Sequence, residues 1–246
     1  MNEGKSQVFK ELFYLKVYPK SAAKAPAPKP SNGEVQSTGT GFIIAKNGII
    51  ATNAHVVGNS TEFKAVFLTE SGSRAYKAKV LLKDNINDVA LLMIDDPAFT
   101  EFKKIPYNIN DNHSIGENVF TIGFPLTSEM GEAYKVANGI ISALSGAKDD
   151  LRYMQITVPL QPGNSGGPLF NSNGDIIGVT SARLDSKAMG TDVQNVNYAL
   201  KISYLVSLIK NVPKFQDSFS KTNLQGLPLD KQVEVLKNAI CLIKTY

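Results

Sequence analysis

Apolar residues along this chain fall into short runs separated by turn-forming residues. The runs are Gly41 to Ala45, Gly48 to Thr52, Phe63 to Leu68, Tyr76 to Leu82, Val89 to Ile94 and Val119 to Phe124. They continue with Tyr134 to Leu144, Tyr153 to Val158, Ile176 to Ser181 and Val196 to Leu200. Val, Ile, Phe and Tyr dominate, side chains that pack well on a pleated surface. Asn47-Gly48, Asn138-Gly139 and Asn173-Gly174-Asp175 punctuate the joints, where such pairs favour tight turns. Roughly ten to twelve short strands, with no long helical pattern between them, predict an all-β chain folded as barrels or a sandwich. A parallel α/β sheet is disfavoured for the same reason.

Helical spacing is confined to the end. Ile202, Leu205, Val206, Leu208 and Ile209 form one face of a short helix. A second helix is expected after Pro228, with Asp230 as its N-cap and Val233, Leu236, Ile240 and Ile243 along one face. At the other end, residues 8–18 are short and aromatic-rich. They read as a segment packed on its own domain, or as an arm that docks on a neighbouring subunit. Residues 19–33 carry prolines and no apolar period, as an extended linker does. The chain therefore divides into an arm and linker over 1–36, a β domain over 37–210 and a helical tail over 211–246.

Composition narrows the function classes. A net charge of +4 is too mild to argue for nucleic acid, and no dense basic run with interleaved aromatics occurs. The single cysteine, Cys241, rules out a disulfide-built fold. No apolar run reaches the roughly 18 residues of a membrane span. The first ten residues are polar and charged and do not read as a signal peptide.

The chemistry lies in Gln161-Pro-Gly-Asn-Ser165-Gly-Gly-Pro-Leu169, a serine among three glycines and two prolines. A serine hydroxyl is a weak nucleophile until a general base takes its proton, and that base needs an orienting acid. The chain offers two histidines. His55 follows an apolar strand, in a turn of small residues. His113 sits in the polar loop Asn110-Asp-Asn-His-Ser and reads as a surface residue. Asp88 directly precedes the most apolar strand, where a carboxylate drawn toward the core requires a partner. His55 is the partner expected. The order His55, Asp88, Ser165 is that of the double β-barrel arrangement, whereas the α/β-hydrolase order fails because no histidine follows Ser165. The backbone amides of Gly163 and Ser165 are the expected oxyanion donors. Nothing in the sequence calls for a cofactor or metal.

These motifs, Thr-Asn-Ala-His55-Val-Val, Asn-Asp88-Val-Ala-Leu-Leu and Gly-Asn-Ser165-Gly-Gly-Pro-Leu, resemble the trypsin-like (chymotrypsin-fold) serine peptidases, most closely the bacterial HtrA/Deg branch. The similarity continues through Gly39-Thr-Gly-Phe-Ile-Ile, Ile122-Gly-Phe-Pro125, Gly174-Asp-Ile-Ile-Gly-Val179 and Asn197-Tyr-Ala-Leu200. It implies two six-stranded antiparallel barrels followed by short C-terminal helices, with His55 and Asp88 on the first barrel and Ser165 on the second. It also implies serine endopeptidase activity on protein or peptide substrates. A periplasmic or other extracytoplasmic setting follows, as does a homo-oligomer joined through the N-terminal arm. Asn164 stands where digestive members carry an aspartate that pairs with a new N-terminus, so zymogen activation of that kind is not expected. Too few residues follow position 210 for the PDZ domain common in the branch.

Pro159-Leu160 occupies the base of the primary pocket, where tryptic members carry a carboxylate. Leu160, Thr180, Ser181 and Ala182 are the expected pocket residues. A buried Lys or Arg would go unpaired there, so small or medium aliphatic residues are expected before the cleaved bond. The alternative is a catalytically silent binding module on the same fold.

Overall fold

The computed structural model of the chain describes residues 33–70, 72–182, 196–213, 215, 219 and 224–246. The expected N-terminal arm over residues 8–18, and all of the linker before Gly33, lie outside the described residues.

Strands form where the short apolar runs predict them, and they close into two barrels. The first contains β1 (Ser37–Ala45), β2 (Ile49–Thr52), β3 (Phe63–Thr69), β4 (Gly72–Asp84), β5 (Val89–Ile94) and β12 (Ile240–Thr245), joined in the order β1-β12-β3-β4-β5-β2. The second contains β6 (Asn118–Gly123), β7 (Lys135–Ala143), β8 (Tyr153–Ile156), β9 (Pro168–Asn171), β10 (Ile176–Ser181) and β11 (Asn197–Lys201), in the order β10-β11-β8-β7-β6-β9. All strand pairs are antiparallel. Closure leaves no open edge in either barrel, so the fold is the expected pair of six-stranded barrels.

Phe42, Ile50, Leu91 and Leu92 are fully buried in the first barrel, and Met154, Ile156, Leu169 and Ile177 in the second. Tyr107 joins the two cores. Its ring lies 6.5 Å from that of Phe42 in β1 and 5.8 Å from that of Phe170 in β9. Its buried hydroxyl donates to the carbonyl of Ile43. Burial pushes the phenol well above its ordinary pKa.

Among the described residues, four short α-helices accompany the strands: α1 (Ala54–Val57), α2 (Thr127–Met130), α3 (Ile202–Ile209) and α4 (Leu229–Leu236). The expected helix over Ile202, Leu205 and Ile209 is α3, with those three side chains buried.

The C-terminal segment corrects the sequence reading. Residues 211–246 are not a helical tail. Helix α4 stops at Leu236, a 3-10 turn covers Lys237–Ala239, and Ile240–Thr245 is a strand. Strand β12 pairs with β1 on one side and β3 on the other, completing the first barrel. Ile240 and Ile243 sit three apart and mimic a helical face, but both faces of this strand are buried, so no alternation marks it. Their β-branched side chains, with Thr245, suit the strand. Asp230 is not the N-cap either. Pro228 holds that position without a side-chain cap bond, and Asp230 lies in the first turn. Strand β9 is also absent from the sequence reading, because Pro168 and the glycines before it read as loop.

Candidate active site

Strand β2 ends at Thr52, and the one-turn helix α1 follows Asn53 and carries His55. Across from it, Asp88 immediately precedes β5, with a left-handed φ of 56°. Aspartate tolerates that conformation better than most residues. The amide of Asn53 secures it, with Nδ2 donating to the Asp88 carbonyl at 2.7 Å. The Asp88 carboxylate then receives His55 twice. Oδ1 accepts from the His55 backbone N–H at 2.9 Å, and Oδ2 faces Nδ1 at 2.7 Å. An ionised carboxylate only accepts, so Nδ1 carries the proton and Nε2 is left with its lone pair. The two side chains are 18% and 17% exposed, recessed yet open to a reactant.

The serine loop is a set of tight turns between β8 and β9. Gly163 and Gly166 have φ of 101° and 85°. A Cβ on Gly163 would lie 2.3 Å from the Phe124 carbonyl oxygen, and one on Gly166 would lie 2.2 Å from Thr52 Oγ1. Both positions therefore require glycine on grounds of conformation and of space. Asn164 N–H donates to Gln161 O at 2.9 Å, and Gly167 N–H to Asn164 O at 3.0 Å. From β10, Thr180 O accepts from Gly166 N–H at 2.9 Å, and Thr180 Oγ1 donates to Asn164 O at 2.7 Å.

The first barrel also grips this loop, through Thr40 in β1. Its N–H donates to Ser165 O at 2.9 Å, and its hydroxyl donates to Gly163 O at 2.7 Å. The same hydroxyl accepts from Phe124 N–H at 3.1 Å. The carbonyls of Gly163 and Ser165 are thus engaged. Among the described residues no acceptor takes the N–H of either. Two amides free beside a serine hydroxyl form an anion-binding corner.

Ser165, His55, Asp88 and Gly163 line one cavity of about 610 Å³, together with Ala182. Ser165 Oγ accepts from Ala182 N–H at 3.1 Å, and no hydrogen bond joins it to His55 in this conformation. A second clamp lies nearby. Arg152 pairs with Asp150 at 2.6 Å and donates through Nη1 to Ile86 O at 2.5 Å, two residues before Asp88. The Arg152 side chain, hydrogen-bonded to Asp150, holds that carboxyl below its usual range, and the carboxylate raises the guanidinium in turn.

Of the residues expected from sequence, His55, Asp88, Ser165, Gly163 and Ala182 meet at this cavity. Leu160 and Ser181 are buried and do not line it, and Leu160 packs in the second barrel's core. Thr180 is turned to the serine loop instead, its hydroxyl taken by Asn164 O. His113 is half-buried in its loop, away from the cavity. Sequence reasoning missed the roles of Thr40 and Asn53. A threonine between two glycines in an apolar strand was the available signal for the first, but only its cross-barrel partners give it meaning. No cluster of three or more His, Cys, Asp or Glu able to hold a metal occurs among the described residues.

Comparison with known proteins agrees with this geometry. A family model described as a trypsin-like peptidase domain matches residues 39–179. The uncharacterized protein y4bJ of Sinorhizobium fredii is 34% identical over 78% of this chain and 30% of its own length. A probable periplasmic serine endoprotease, DegP-like, of Pseudomonas fulva is 35% identical over 73% of this chain and 36% of its own length. The chain thus spans about a third of the length of the curated relatives it matches. Among solved structures, the serine endoprotease from Yersinia pestis superposes with a TM-score of 0.57 at 27% identity, over 73% of this chain and 59% of that one. Two closed barrels, a paired His55 and Asp88, a Ser165 in a glycine-rich loop at the same cavity and a family match through that region lead to one conclusion: the chain belongs to the trypsin-like peptidase domain family.

Proposed function

We propose that the chain is a serine endopeptidase in which Ser165 is the nucleophile, His55 the general base and Asp88 its orienting acid. The observation that carries this reading is the convergence on one cavity of a carboxylate-oriented imidazole, a serine and two unengaged amides. Ser165 Oγ leaves the Ala182 amide, turns to His55 Nε2 and attacks the scissile carbonyl carbon. His55 takes the hydroxyl proton, and Asp88 stabilises the resulting imidazolium. The oxyanion receives hydrogen bonds from the Gly163 and Ser165 amides. Collapse of the tetrahedral intermediate breaks the C–N bond. The proton on His55 passes to the leaving amine, and Ser165 remains as an ester. Water, deprotonated by His55, then hydrolyses the ester and restores the hydroxyl.

The residue preferred before the cleaved bond is small or medium and aliphatic. Pro159 stands where a carboxylate would select Lys or Arg, and the small side chain of Ala182 lines the cavity beside Ser165. A peptide library digested by the full chain should give cleavage after Val, Ala or Leu. Dominant cleavage after Lys or Arg would overturn the preference, and no cleavage of any peptide or of casein would overturn the activity. The Pseudomonas fulva relative is named periplasmic. We propose an extracytoplasmic setting for this protein on that basis, which fractionation of its host would test.

A further inference from the structure

The cavity at Ser165 has two unlike walls. The second barrel contributes Pro162, Gly163, Ser165 and Ala182, none of them charged. The first barrel contributes a polar wall, in which Asn59, Lys83 and Asn85 accompany the His55–Asp88 pair. Among the described lining residues, Lys83 and Asp88 are the only Lys, Arg, Asp or Glu. The Asp88 carboxylate is already committed to His55 through both of its oxygens. We propose that Lys83 selects substrate: it receives the carboxylate of an Asp or Glu side chain close to the cleaved bond. This rests on the peptidase reading above and adds to it a second subsite, on the opposite wall from Ala182.

The fold brings Lys83 to this wall by an irregularity in β4. Lys79 lies opposite Met93 of β5, but the register shifts between Val80 and Leu82, and Lys83 lies opposite Ala90. Four steps along β4 thus match three along β5. Paired residues share a face and successive residues alternate, so Lys83 falls on the other face from Lys79. A bulge re-aims the side chains beyond it in this way. The Lys83 stem then reaches the end of α1, where Nζ donates to the carbonyl of Gly58. That peptide is itself anchored, its N–H donating to Ala54 O at 3.0 Å. The ammonium is therefore held at a residue three positions after His55.

Lys83 is half-buried, and among the described residues no carboxylate pairs with it. Lys79 and Lys244, on other parts of the first barrel, pair with Asp95 and Glu132. The acid next to Lys83 in sequence is engaged elsewhere: Asp84 accepts from Ile86 N–H, Asn87 N–H and Asn87 Nδ2. An ammonium has three donors, and the Gly58 carbonyl takes one. A substrate lying in the cavity displaces water from the cation. A carboxylate replaces that water with a charge-assisted hydrogen bond, a neutral side chain replaces it poorly, and a basic one is repelled. The amides of Asn59 and Asn85 offer further N–H donors on the same wall.

The test uses the full chain and matched peptides that differ only in Glu against Gln, or Asp against Asn, at each position flanking the cleaved bond. At one position the acidic peptide should have a kcat/KM at least about tenfold above its amide partner, as expected of one hydrogen bond to a charged group. Lys83→Met should bring that ratio close to one, Lys83→Glu should reverse it in favour of Lys at the same position, and Lys83→Arg should retain it. The ratio compares two peptides on one enzyme, so a loss of folded protein does not move it. A parent ratio near one at every position, or a ratio that survives Lys83→Met and Lys83→Glu, would overturn the subsite and leave the peptidase reading standing. An equal loss on both peptides in Lys83→Met, with the ratio kept, would show that Lys83 only braces Gly58 and would overturn it too. Cleavage of no peptide at all would overturn both readings.

Discussion

Asp88 holds His55 at two points, accepting its backbone N–H at 2.9 Å and facing its Nδ1 at 2.7 Å. One carboxylate therefore fixes both where the helix turn begins and which ring nitrogen carries the proton. Asp88→Asn would offer an amide that can donate to Nδ1 and so stabilise the wrong tautomer. A loss of about 10⁴ in kcat is expected with the fold retained. Steady-state kinetics beside a thermal melt would check both halves. A modest loss would mean that Asp88 does not set the tautomer.

Thr40 ties the two barrels at the serine loop, and its hydroxyl is the part to test. Thr40→Val keeps the shape but strands the buried Phe124 N–H and the Gly163 carbonyl. A loss of about 1–3 kcal/mol in stability is expected for such unmet groups. The Gly163 peptide would also lose its orientation, and kcat should fall by about tenfold or more, approaching the ~10² of a lost oxyanion donor. Thr40→Ser keeps the hydroxyl and should restore most of both. Equal damage from Ser and Val would show that the methyl group matters instead.

Gly163→Ala meets two obstacles, the left-handed φ of 101° and the Phe124 carbonyl oxygen 2.3 Å from the new Cβ. The loop must shift, and its amide shifts with it. The expected fall in kcat is about 10² or more, with KM changed far less. Unchanged kcat would mean that this amide takes no part in the reaction.

How far the sequence could be read is clear from particular residues. His55, Asp88 and the glycines at 163 and 166 are legible because chemistry and sterics act locally there: each needs a residue type that few alternatives supply. Thr40 is not legible in the same way. Its significance comes from Gly163, a residue far along the chain that only barrel packing brings near. Strand β12 was misread because both its faces are buried, so Ile240 and Ile243 show no alternation and borrow the period of the helix before them. Thr180 holds the serine loop in a way that was not legible for a related reason: sequence places a residue on a strand but does not say that a neighbouring carbonyl takes its hydroxyl.

The Asp150–Arg152 pair predicts a small pH effect on stability. The Asp150 carboxyl is held below its ordinary value in the fold, mainly by the Arg152 side chain. Its contribution is therefore full above the ordinary carboxylate range and lost as pH falls through the lowered value. Asp150→Asn should cost no more than about 1 kcal/mol near neutrality, as partly exposed pairs do. That corresponds to a fall in Tm of about 2–4 °C. The difference between variant and parent should vanish in strong acid, and a difference that persists there would assign the effect to packing.

The nucleophile itself is tested most directly by intact-mass analysis after reaction with a fluorophosphonate. The account predicts one adduct per chain, mapped by peptide sequencing to Ser165. Replacement of Ser165 by Ala should abolish the adduct, and replacement of His55 by Ala should slow its formation strongly. Labelling of any other residue, or undiminished labelling without His55, would contradict it.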